Sequence, residues 1–226
     1  MDKRFGPGNM RMLLPTNEKR ATYDRVKQEF HDIKAAVITN GYLRFEQVLA
    51  SPLTVIDFPV LENQGAQRAP EQRLSIADAF CFDQIGVFAG TIRTPATAPQ
   101  GSYELQTFAS SAFGTAQLPV ATILNSGRIE LIQDSVTLLD SLDVAGGRTV
   151  GQAQEGVAGA EASEFTRSDS YQPLTPPIVL NGRSKISLRI RLNESVDPTG
   201  EAGADTVMTV IMRGFLAQNC SKVGNR

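Results

Sequence analysis

The sequence predicts an all-β protein: a β-sandwich of about eight strands with one helix near its N-terminus. Three observations carry this. Ile186, Leu188, Ile190 and Leu192 alternate with Lys185, Ser187, Arg189 and Arg191, the period-two pattern of a strand with one face in a core and one in water. Asp205 to Ala217 is apolar at nearly every position, which suits a strand covered on both faces, in a sandwich interior or against a neighbouring molecule. The remaining chain is a series of short apolar runs bounded by Pro, Gly and Asn, with a single helical stripe.

Residues 1–15 read as an arm rather than a packed element. They contain Gly6, Pro7, Gly8 and Pro15, and Lys3, Arg4 and Arg11 against Asp2 leave the segment cationic. A frayed terminus and a tail that orders on a partner both fit this composition. A helix is expected over 16–40. Thr16 or Asn17 caps it, Tyr23, Val26, Phe30, Ile33 and Val37 recur at helical spacing, and Asn40-Gly41 ends it. His31, the sole histidine, falls beside that stripe on the solvated side.

From Tyr42 the period changes to two. Strands are expected over Tyr42–Leu49, Thr54–Leu61, Leu74–Phe82 and Ile85–Ile92, with Pro59 marking an edge or a bulge. Tyr103–Phe108 and Val120–Leu124 are weaker candidates. Asn125-Ser126-Gly127 turns the chain into Arg128–Gln133, and Val136–Val144 follows. The stretch 145–170 is rich in Gly, Ala, Gln, Ser and Glu and reads as a long surface loop. Pro173, Pro176 and Pro177 lead into Ile178-Val179-Leu180, Asn181-Gly182 supplies a tight turn, and the two strands described first close the fold. The expected organisation is an arm at 1–15, a helix at 16–40, one sandwich at 41–217 and a tail at 218–226.

Bulk composition agrees. The 226 residues suffice for one large all-β domain with a core of its own, 20% charged and 41% hydrophobic. A net charge of −2 gives no global basic excess of the kind a nucleic-acid binder shows. No stretch approaches the ~20 apolar residues of a membrane-spanning helix, and no apolar run follows Met1-Asp2-Lys3-Arg4 as in a secretory signal. Without a secretory route, the sequons at Asn193 and Asn219 read as chance. Cys81 and Cys220 lack metal or redox spacing and read as buried or idle thiols.

Catalytic chemistry is hard to find. A single histidine is incompatible with multi-histidine metal sites, and no nucleophile elbow, phosphate loop or dinucleotide fingerprint occurs. Asp134, Asp140 and Asp143 lack the alternating ligands and glycine of a calcium loop and read as solvated carboxylates. A carboxylate-pair hydrolase stays open, because its two acids can be far apart in the chain. No cofactor is implied.

Several strings together resemble a known family. Leu43-Arg44-Phe45-Glu46-Gln47 precedes Asp57-Phe58-Pro59-Val60-Leu61; then come Arg73-Leu74, Asp78-Ala79-Phe80 and Ile85-Gly86-Val87-Phe88, with Pro177 to Gly182 and Met212-Arg213-Gly214-Phe215-Leu216 near the end. In this order, after a short helix, they are similar to the jelly-roll capsid proteins of tailless icosahedral bacteriophages. The resemblance implies a single jelly roll of eight strands in two sheets. It also implies a non-enzymatic virion structural protein, the major capsid protein, made in the host cytoplasm and self-assembling into a shell. Partners would be copies of itself, other virion proteins, and genome or an internal membrane reached by the arm, with no small-molecule substrate. Candidate assembly contacts are Lys3, Arg4, Arg11, Leu13 and Leu14 in the arm and Met208, Val210 and Met212 in the last strand. The competing expectation is a β-sandwich binding module, such as a phage fibre, appendage or surface protein that recognises a glycan or protein.

Overall fold

A computed structural model describes residues 20, 22–26, 37–49, 51–93, 105–148, 170–200 and 204–220. Among them are eight strands: β1 Val37–Leu49, β2 Leu53–Phe58, β3 Ala79–Arg93, β4 Arg128–Gln133, β5 Val136–Asp143, β6 Gln172–Asn181, β7 Ile186–Val196 and β8 Ala204–Gln218. They form two four-stranded antiparallel sheets, ordered β1-β8-β3-β6 and β2-β7-β4-β5. The first strand pairs with the last, the second with the seventh, the third with the sixth and the fourth with the fifth. The all-β sandwich expected from sequence is what the chain forms.

The core lies between the sheets. From one side come Leu43, Phe45, Phe80, Phe82 and Met212; from the other come Ile56, Phe58, Ile129, Leu131, Leu188 and Ile190, all in a single apolar cluster. Each such side chain contributes about 1.5–3 kcal/mol when removed from water. Strand β7 has the alternation read from sequence. Ile186, Leu188, Ile190 and Leu192 are buried, while Arg189 and Arg191 point to the opposite, solvated face.

Strand β8 is covered on both faces, and its own chain supplies both covers. Met208, Val210 and Met212 join the inter-sheet core. On the other face, Ile211 packs with Phe88 and Tyr171, and Phe215 and Ala217 pack with Cys81, Cys220 and Val26 of the N-terminal helical segment. Tyr23 meets Phe215 edge-on at 5.6 Å, and Arg213 stacks over the Tyr171 ring at 3.7 Å. Both cysteines are therefore buried and unpaired with each other. Burial and the nearby Asp78 carboxylate push the Cys220 thiol up to about 11.

Four readings need correction. The helix does not extend to 40: Val37–Gly41 is the first third of β1, in register with Gln218–Gly214 of β8. Val37, Ile38 and Thr39 are β-branched and favour a strand, and Asn40-Gly41 runs straight through it. A side chain at 41 would crowd Leu216, whose Cβ lies 3.3 Å from the position a Cβ would take. Val120–Leu124 is helical, within α1 Gln117–Ser126, because Val120, Ile123 and Leu124 fall on one buried face at spacings of three and one. The two strands expected over Leu74–Phe82 and Ile85–Ile92 are one, β3, with an irregularity at Phe82–Gln84. Tyr103–Phe108 forms no strand among the described residues; Gln106 makes an isolated bridge to Ala89.

The Asn181-Gly182 turn is as expected and depends on its glycine. A Cβ at Gly182 would lie 2.0 Å from the Ser75 carbonyl oxygen, so no other residue fits beneath the 75–78 turn. Most of the 145–170 loop lies outside the described residues, as do the arm, His31 and residues 221–226. The chain enters the loop through a short 3₁₀ turn, Val144–Gly147.

Candidate functional site

The candidate assembly residues divide sharply. Lys3, Arg4, Arg11, Leu13 and Leu14 lie outside the described residues. Met208, Val210 and Met212 are fully buried in the chain's own core, at 0% exposure each, and this overturns their reading as contacts to a neighbour. The apolar run of β8 meant a doubly covered central strand. Sequence alone left both meanings open, since a run of alternate inward and outward apolar residues looks the same whichever molecule covers it.

Asp134, Asp140 and Asp143 are each occupied locally. Asp134 accepts from the Lys185 amide, Asp140 from the Ser141 hydroxyl and Asp143 from the Ala145 amide. Hydrogen bonds from Ser184 and from the Lys185 backbone hold the Asp134 carboxyl below the usual carboxylate range. No group of three metal-ligating side chains gathers among the described residues.

A charged cluster that the sequence reading missed lies at the edge of the first sheet. Strand alternation places Arg44 and Glu46 on the same face of β1. Across from them the segment 68–74 crosses the edge, exchanging backbone hydrogen bonds between Arg44 and Gln72, both at 2.9 Å. Arg44 donates to Glu46 Oε1 from Nε at 2.9 Å and from Nη2 at 2.6 Å. Glu71 accepts from the Glu46 amide at 3.0 Å, the Arg68 amide at 2.7 Å and Arg73 Nη2 at 2.8 Å. Arg73 also donates to the carbonyls of Gln64, Gly65 and Ala66, which fixes the loop between β2 and β3. The detectable signal was two opposite-charge pairs, Arg44/Glu46 and Glu71/Arg73, each two residues apart in extended chain.

Beside this cluster opens a cleft of about 650 Å³. Glu46, Arg68 and Arg73 line it from the cluster, and Asp57, Ser187 and Lys185 from the second sheet, around Phe58 and Pro59. A second cleft of about 590 Å³ lies at the opposite side, between Thr137–Leu138 of β5 and Pro176–Val179 of β6. Arg25 lines it and donates to the Pro177 carbonyl.

The outward face of the second sheet is ionic. Asp57, Arg189 and Glu130 form one cross-strand row, with Arg189 Nε donating to Glu130 Oε2 at 2.6 Å. The hydrogen bond from Arg189 and the charges of Arg189 and Arg191 hold the Glu130 carboxyl below its ordinary range against partial burial. Free strand edges are guarded against further pairing. The 68–74 segment occupies the edge of β1 at Arg44 and Glu46, Pro173, Pro176 and Pro177 interrupt β6, β2 is only six residues long, and β5 carries two register shifts against β4. Of the large exposed apolar side chains among the described residues, Leu118, Tyr42 and Val55 lie elsewhere, and three share one end of the sandwich. Val37 (53% exposed) opens β1, Val136 (60%) opens β5, and Ile76 (60%) lies in the turn that packs against Gly182.

Comparison with protein-family models, with curated proteins and with solved structures finds no match.

Proposed function

We propose that this chain is a virion structural protein, the major capsid protein of an icosahedral phage shell, and that its sandwich is a jelly roll. One observation carries the reading. Pairing first with last, second with seventh, third with sixth and fourth with fifth is the result of folding an eight-stranded chain in half and rolling the ribbon up. That is the strand logic of a jelly roll. It agrees with the order of sequence strings that resemble such coat proteins.

Two features support assembly rather than chemistry. Strand edges are guarded, so association would proceed through faces and ends rather than by open-ended sheet extension. Val37, Ile76 and Val136 give one end an apolar surface for a neighbouring copy. In this reading the residue 1–15 arm, with Lys3, Arg4, Arg11, Leu13 and Leu14, reaches a neighbour, the genome or an internal membrane. The chain has no catalytic role, and its place is the virion.

The polar cleft beside Glu46 favours a second reading, a β-sandwich binding module on a fibre or appendage. Size-exclusion chromatography with light scattering separates the two. Shell subunits form capsomers or larger particles as concentration rises, and deletion of residues 2–15 weakens this while leaving the melting temperature nearly unchanged. A chain that stays monomeric at high concentration, at low and high salt alike, overturns the capsid reading.

A further inference from the structure

We propose that residues 65–73, between β2 and β3, are a latch: one preassembled unit that lifts off the edge of β1 while the sandwich stays folded. The inference stands apart from the assembly reading and rests on how the segment is held.

Both ends of the excursion are fixed in the core. Leu61 and Leu74 are buried and bridge each other, and the Leu74 amide donates to the Val60 carbonyl at 2.9 Å. Between them no apolar side chain is buried; the buried residues of 62–73 are Glu71 and Arg73. Apolar burial is the main favourable term that holds a segment down, so this one depends on polar contacts.

Most of those contacts are internal. Arg73 donates to the carbonyls of Gln64, Gly65 and Ala66 and to Glu71. Glu71 accepts from the Arg68 amide at 2.7 Å, and the Glu71 amide donates back to the Arg68 carbonyl at 3.0 Å. Polar attachment to β1 is much smaller. Among the described residues it consists of two Arg44–Gln72 backbone bonds, the Glu46 amide on Glu71 at 3.0 Å, and a 3.6 Å approach of Arg68 to Glu46.

The closed fit is incomplete at that last contact. Glu46 Oε2, Arg68 Nη1 and Arg73 Nε are all buried without a hydrogen-bond partner among the described residues. Charged groups buried with bonds unmade raise the free energy of the closed arrangement, and opening returns them to water. Gly65, Ala66, Arg68 and Arg73 also line the cleft of about 650 Å³, so this flank of the segment borders open space. Lifting the latch breaks three hydrogen bonds to β1 and leaves the internal ones standing. It uncovers the Arg44 N–H and C=O and the Glu46 N–H, backbone groups through which an edge strand accepts another strand. The guard on β1 is thus removable, whereas the prolines built into β6 are not.

Native-state hydrogen exchange of the full chain, followed by NMR over a series of sub-denaturing guanidinium chloride concentrations, tests this. The amides of Arg44, Glu46 and Gln72 are expected to exchange through one opening with a common protection factor. That factor should be about tenfold or more below those of Leu43 and Phe45, the alternate β1 amides directed at β8. Its dependence on denaturant should be shallow, because lifting the latch exposes little surface. If the three amides exchange only with Leu43 and Phe45, at the same protection and the same steep slope, the segment belongs to the cooperative sheet and the proposal is overturned. Three unrelated protection factors overturn it as well, since separate frayings are not the motion of a unit.

Discussion

Arg73 donates to Glu71 Oε2 at 2.8 Å from inside the protein, where the two side chains are 3% and 0% exposed. An ion pair so placed is not a net source of stability relative to apolar packing, because both charges lose their hydration. Its removal by halves is another matter. Glu71 also accepts from the amides of Glu46 and Arg68, so it ties β1 to the loop that covers it.

Glu71→Ala leaves Arg73 charged and buried with carbonyls but no carboxylate to face it, and two amides without acceptors. The expected loss is about 3–5 kcal/mol in denaturant unfolding. Arg73→Lys should fall in the same direction, since an ammonium cannot serve three carbonyls and a carboxylate in the fixed geometry of a guanidinium. A loss below half a kcal/mol in either variant would show that the loop is held by something else.

Leu188 and Arg191 sit three residues apart on β7, on opposite faces. Leu188 is at 0% exposure in the inter-sheet core, and its truncation to Ala should cost about 2–5 kcal/mol. The Arg191 side chain is 62% exposed and 3.6 Å from Glu130, so Arg191→Ala should cost under about 1 kcal/mol. Equal losses would mean that the alternation does not divide core from solvent.

That alternation was legible because each residue of β7 has one environment, and period two records it directly. Legibility failed where one pattern serves two structures. Val120, Ile123 and Leu124 sit together as an apolar run whether extended or helical, and Pro119 before them is tolerated in a first helical turn. Asn40-Gly41 is a helix-ending dipeptide by local chemistry, yet β8 offers those residues a ladder from Gly214 to Gln218 that local chemistry cannot announce. The charged cluster escaped for a related reason. Its pairs are short-range in sequence, but their burial comes from a loop folding over a sheet edge, and burial turns ordinary surface residues into a site.

Glu130 gives a pH prediction whose sign is fixed. The hydrogen bond from Arg189, followed by the charges of Arg189 and Arg191, holds the folded-state carboxyl below its unfolded value. Such a group stabilises the fold above the unfolded pKa of about 4.3, and that contribution disappears as pH falls through the lower folded value. Wild type should therefore lose stability more steeply than Glu130→Gln on going from about pH 5 to pH 3. Parallel profiles in chemical denaturation would show that the pair is screened by solvent.

Met208, Val210 and Met212 permit a direct choice between core and interface. All three project inward from β8, at positions in register with Gln47, Phe45 and Leu43 of β1 and with Ala89, Val87 and Ile85 of β3. No water reaches them, and the central pairing of β8 with both neighbours holds their positions fixed. Val210→Ala should lower the stability of the isolated chain by about 1–3 kcal/mol, and Met212→Ala by about 2–5 kcal/mol, through lost burial and the cavities left behind. Val210→Asp should prevent folding outright, because a carboxylate there would have neither water nor a partner. An interface residue would behave differently: the isolated chain would keep its melting temperature, and only particle formation would suffer. Unfolding measured on dilute protein, below the concentration at which light scattering detects association, separates the outcomes. An unchanged melting temperature in Met212→Ala at that dilution would return the last strand to the surface of the molecule.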